Sequence, residues 1–105
     1  MKQKYLAIYT TFPNLRSAKK IIGDMVSARI VACGNIFKIH SIYRWQGKIE
    51  KSPEYGVLIK TKRSKYRAVE RYIKENHPYR IPEIIAWDID QGQKDYLDWI
   101  KQVTK

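Results

Sequence analysis

The stretch Ser41-Ile42-Tyr43-Arg44-Trp45-Gln46-Gly47-Lys48-Ile49-Glu50 constrains the fold most. Gln46-Gly47 lies between two β-rich arms, and glycine supplies the φ > 0 of a tight two-residue hairpin turn. Alternation along the leading arm puts Ile39, Ser41, Tyr43 and Trp45 on one face and His40, Ile42 and Arg44 on the other. Both faces carry large or apolar groups, whereas a hairpin in a small monomer normally leaves one face polar. Part of this hairpin is therefore expected to be covered by something outside its own chain.

The length of 105 residues predicts one domain over residues 1–105. An apolar fraction of 44 % with three tryptophans is enough to bury a real core. No apolar run is long enough to cross a bilayer. Met1-Lys2-Gln3-Lys4 leads into a β-like run without the apolar core and cleavage site of a signal peptide. Cys33 is the single cysteine, which forbids an intrachain disulfide and fits a reducing cytoplasm. The net charge of +11 is uneven: residues 60–80 are strongly basic and residues 83–98 acidic. Such charge can attract nucleic acid or an anionic membrane, but a lysine-rich solvated surface has the same composition, and no like-charge block marks a binding tail.

In chain order, Tyr5 to Thr11 reads as a buried first strand, broken by Phe12-Pro13-Asn14. Asn14 can cap a helix whose apolar face is Ala18, Ile21, Ile22, Met25 and Val26, ending near Ala28-Arg29. A second strand is expected from Ile30 toward the hairpin, with Gly34 marking a bulge or a close backbone approach. Ser52-Pro53 is expected to interrupt the return arm, and Val57 to Thr61 to resume as a third strand. Ser64 can cap a second helix bearing Tyr66, Val69 and Ile73, stopped by Pro78. Ile84 to Ile89 is a fourth strand, and Tyr96, Leu97 and Ile100 mark a terminal helix. The order β-α-β-β-α-β predicts an α+β, ferredoxin-like sandwich with a long hairpin and a C-terminal helix. Its sheet would have two helices on one face and, unless the terminal helix covers it, an uncovered apolar second face, which is a reason to oligomerise.

Catalysis has little support in the sequence. Cys33 falls inside an expected strand, where a buried, inert thiol is the simpler reading. There is no phosphate-binding glycine loop and no nucleophile elbow. Cys33, His40 and His77 contain no close pair, so one chain alone is not expected to close a soft-metal site. His77-Pro78-Tyr79-Arg80-Ile81-Pro82-Glu83 is the most unusual segment. Its two prolines fix an extended loop carrying an imidazole, a phenol and a carboxylate, suited to a binding site or to fastening the loop by hydrogen bonds. Tyr43-Arg44-Trp45 with Lys48 also allows a nucleic-acid reading, although the glycine-containing aromatic strand motif of RNA-binding relatives of this topology is absent.

Taken together, these residues resemble the CutA family of divalent-cation tolerance proteins from Tyr5 to about Ile100. The resemblance is carried by Thr11 and Pro13, Ala32-Cys33 with Asn35-Ile36, Ser41-Ile42-Tyr43, Trp45, Gly47-Lys48-Ile49 and Lys60-Thr61. His77-Pro78-Tyr79, Pro82-Glu83-Ile84 and Tyr96-Leu97 with Trp99 complete it. It implies a ferredoxin-like subunit in a homotrimer, with the hairpin reaching a neighbour, a link to tolerance of copper and other divalent ions, and no enzyme activity. Copper-binding members carry a second histidine where this chain has Asn76 and a cysteine where it has Thr10, so His77 alone remains of that set. The Pro-Gly turn common in the family is replaced by Phe37-Lys38-Ile39-His40.

The expected protein is thus a cytoplasmic, non-enzymatic homotrimer with no membrane partner. His77 would be its metal residue, holding copper weakly at most. Lys60, Tyr79, Glu83, Tyr43 and Trp45 would line an intersubunit cleft for a small polar or anionic ligand. Any association with nucleic acid would be weak and non-specific.

Overall fold

A computed structural model describes residues 4–105. Met1, Lys2 and Gln3, on which the reading of the N-terminus partly rests, lie outside the described residues. The elements are β1 (Tyr5–Phe12), α1 (Leu15–Ser27), β2 (Cys33–Trp45), β3 (Lys48–Lys62), α2 (Tyr66–Asn76), β4 (Ile84–Asp88) and α3 (Lys94–Val103). The strands form one sheet in the order β2-β3-β1-β4, with every neighbouring pair antiparallel. This is the expected α+β, ferredoxin-like architecture.

Strand alternation builds the core. Leu6, Ile8 and Phe12 of β1 and Val57 and Ile59 of β3 are buried on one face. They pack with Ala18, Ile21, Ile22 and Met25 of α1 and with Val69 and Ile73 of α2. Asn14 starts α1 as expected, its side-chain oxygen accepting from the Ser17 N–H at 2.8 Å. Gly34 marks a close approach and no bulge. A β-carbon there would lie 2.7 Å from Cγ2 of Ile22, and the β2–β3 register is unbroken.

Three local expectations change. The second strand begins at Cys33, not Ile30. Arg29 adopts φ 61°, and the N–H groups of Ile30 and Val31 turn back to the Met25 carbonyl before the strand starts. Ser64 does not cap α2. It lies in a 3-10 turn, Arg63–Lys65, and no side chain caps the helix that follows. Pro53 does not interrupt β3, which runs continuously from Lys48 to Lys62. The turn explains this. Gln46 (φ 50°) and Gly47 (φ 79°) form a two-residue hairpin closed by the Trp45–Lys48 pair. Counting back in alternation, His40–Pro53 is a pair that exchanges no backbone hydrogen bonds. The other edge of Pro53 is open because β1 ends opposite Tyr55. The missing N–H therefore leaves no ladder bond unmade.

The second sheet face is only partly covered. α3 packs Ile100, Leu97 and Val103 on Tyr5 and Ala32 at one end of it. Arg29 holds the end of α3 by donating to the carbonyls of Val103 (3.2 Å) and Gln102 (2.9 Å). Phe37, Ile85 and Trp87 on this face remain exposed by 43 %, 51 % and 48 %. Beyond Tyr55 the hairpin continues as a two-stranded ribbon, with no further strand among the described residues beside it.

Candidate binding cleft between the hairpin and the proline loop

The loop expected to carry function does stand against the hairpin. Residues 78–83 and the hairpin enclose a cleft of about 580 Å³, lined by Thr11, Ser41, Ile42, Tyr43, Trp45, Glu54, Pro78, Tyr79, Arg80, Ile81 and Glu83. Tyr43, Trp45, Tyr79 and Glu83 are therefore brought together within one chain, where the sequence predicts a cleft between subunits. α2 delivers the loop to this place. It ends at Asn76 because Pro78 cannot continue it, and His77 already has extended backbone.

His77 is close by but takes a different part. Its ring is nearly buried, 9 % exposed, and stacks on Phe12 with centroids 4.7 Å apart. The Tyr79 N–H donates to Nδ1 at 2.9 Å, so the proton sits on Nε2, which donates to the Thr11 carbonyl at 2.6 Å. Burial lowers its pKa below the ordinary value, against the opposing pull of the Thr11 carbonyl and Glu54. Both nitrogens are thus engaged in holding the loop. The imidazole anchors the loop to the end of β1, and a metal could reach it only by breaking one of these bonds.

Tyr79 fastens the loop from the other side. Its hydroxyl donates to Glu54 at 2.6 Å. Burial first, then that bond, raises its pKa well above the usual phenol range. Tyr43 reaches the same region, its hydroxyl 3.4 Å from Oγ of Ser52. Glu54 was not foreseen as a site residue, because Ser52-Pro53 read as a break in the strand. The uninterrupted period of two from Gly56 and Leu58 would have put it on this face.

Lys60 does not line this cleft of the single chain. It shares a face of β3 with Glu54 but lies six residues toward the inner end of the strand, away from the hairpin tip. Lys60 pairs with Ala7 and Cys33, and its ammonium donates to the side chain of Asn35. Cys33 is only partly buried. Its sulfur lies 3.6 Å from the Tyr96 hydroxyl, whose pKa burial and this contact push up to about 12. His40 is exposed on the hairpin. Among the described residues, no three His, Cys, Asp or Glu side chains converge as metal ligands.

The fold and site define a class of protein: a split βαβ sandwich whose long hairpin outruns its sheet and forms a cleft with a proline-bounded loop. The profile of the CutA1 divalent ion tolerance protein family matches residues 6–103. The chain is 39 % identical over 100 residues to divalent-cation tolerance protein CutA of Pyrococcus horikoshii, covering 95 % of this chain and 98 % of that one. A crystal structure of CutA1 from the same organism superposes with a TM-score of 0.92 over 95 % of this chain and 98 % of that one, at 39 % identity. A structure described as the periplasmic divalent cation tolerance protein CutA from Archaeoglobus fulgidus gives 0.94 over 96 % and 99 % of the two chains, at 37 % identity. The chain belongs to the CutA divalent-cation tolerance family.

Proposed function

We propose that the chain works as a non-enzymatic, cytoplasmic homotrimer in divalent-ion tolerance, binding a metal ion or small ligand at clefts that neighbouring subunits complete. One observation carries this reading. The cleft opens beside a hairpin and a sheet face whose apolar residues, Ile42, Ile49, Ile85 and Trp87 among them, remain 48 % to 71 % exposed. Covering them with a second and third copy removes the largest apolar surface from water.

Light scattering on dilution tests the assembly. Three copies of the 12.5 kDa chain give a particle of about 37 kDa. A monomer that keeps its fold at low micromolar concentration would remove the intersubunit cleft. Calorimetry with divalent copper tests the metal. With both His77 nitrogens bonded and no converging ligand set among the described residues, binding is expected no tighter than the micromolar range. Tight stoichiometric binding would overturn that expectation. The charge of +11 supports only weak association with nucleic acid, lost as salt rises.

A further inference from the structure

The deep end of the cleft is acidic although the chain is basic. Glu54 is 5 % exposed, and the hydrogen bond that reaches its carboxylate comes from the Tyr79 hydroxyl. A carboxylate has about four acceptor sites, and burying it is costly unless they are filled. Among the described residues, Lys20 pairs with Asp24, Arg63 with Asp88 and Lys94 with Asp98, and none of these ion pairs takes Glu54 or Glu83. These two carboxylates lie close enough to Tyr9 to add to the effect of burial in raising its pKa. Arg80, the basic residue of the lining, is exposed and can keep its guanidinium in water.

Aromatic surface adjoins this acidic end. The Tyr43 hydroxyl leans toward Ser52, two residues from Glu54, so its ring walls the approach. Trp45 and Ile81 continue the wall outward. A buried carboxylate with free acceptor sites, a second carboxylate and an aromatic wall together fit an ammonium group on an apolar body. The ammonium donates charge-assisted hydrogen bonds and lies against ring faces.

We propose that the cleft binds a small organic ammonium compound, an alkylamine with an apolar tail, its nitrogen on Glu54 and Glu83 and its body along Tyr43 and Trp45. The proposal rests on the reading of the cleft as a binding site, and it reverses the sign of the anionic ligand expected from the sequence.

Two probes with one body and opposite charge test it: phenylbutylamine and phenylpentanoate. Each is titrated into the intact protein by calorimetry and by NMR of the Trp45 indole N–H, with the indoles of Trp87 and Trp99 as references. The amine is expected to bind and move Trp45, and the carboxylate is not. Glu54→Gln, whose amide oxygen still accepts from Tyr79, should weaken amine binding roughly tenfold or more, about the size of one lost charged contact. Glu83→Gln, at the exposed rim, should weaken it a few-fold and tests the same point should the Glu54 variant fold poorly. Amine binding unchanged in these variants overturns the proposal. Phenylpentanoate moving Trp45 in place of the amine overturns it while leaving the cleft a binding site. If neither probe nor divalent copper moves Trp45, the cleft reading falls with it.

Discussion

β2 and β3 pair without a break from Cys33–Lys60 to Trp45–Lys48, yet the two halves of that ladder live in different surroundings. In the inner half, β1 lies beside β3 and two helices lie beneath it, and Val57 and Ile59 are fully buried. In the outer half no described residues form a third strand, and Ile42 and Ile49 are 71 % and 62 % exposed. The residue types are alike. What differs is whether another layer of this chain reaches them. An isolated two-stranded hairpin is marginal in water, so an apolar ribbon of this length points to cover from outside the chain.

The largest expected effect lies in the inner half. Ile59→Ala should cost about 3 kcal/mol in urea-induced unfolding, because the transfer loss adds to an unfilled cavity. An effect as small as that of a surface substitution would show that the inner half is not the supported one.

His77 sits at the boundary, tying the loop to the end of β1. His77→Gln should cost roughly 2 kcal/mol through the lost stacking on Phe12 and the disturbed bonds to Thr11 and Tyr79. It also carries a pH signature. The folded pKa is lowered, so the unfolded chain takes up a proton at about 6.5 that the folded chain still refuses. The stability from the neutral ring is complete above that pH and is lost as pH falls through the folded value. Unfolding curves from pH 7 to pH 5 should show this loss in the parent and a shallower one in His77→Gln; parallel slopes would mean the ring does not titrate as described.

The smallest effect is expected at the tip. Ile42→Ala should change the stability of a single chain by about 0.5 kcal/mol or less, as exposed substitutions do. If copies cover the hairpin, the same change should instead appear as easier dissociation on dilution. A loss of stability independent of protein concentration and matching Ile59→Ala would erase the contrast between the two halves.

Much of the fold was legible because it is written in local signals. The Gln46-Gly47 turn, the Asn14 cap and the stop at Pro78 each act within a few residues. Ser64 misled because a good capping residue was overridden: the Arg63 N–H bonds to the Lys4 carbonyl, and a 3-10 turn precedes the helix. Pro53 misled because its cost depends on which edge of the strand is open, and that depends on where β1 ends.

The sequence by itself determined the order of elements, the hairpin and the rigid loop, because turn dihedrals, capping and periodicity are properties of neighbouring residues. It also singled out Tyr43, Trp45, Tyr79 and Glu83, which the structure places around one cleft. Only the tertiary structure decided that Glu54 joins them, that Lys60 stands too far along the strand, and that His77 spends both nitrogens on holding the loop. Those outcomes depend on the pairing of β1 with β3 and on the docking of residues 77–83, contacts between segments 25 to 66 positions apart. No periodicity records which partner a side chain will meet across such distances, since it follows from strand register and layer packing.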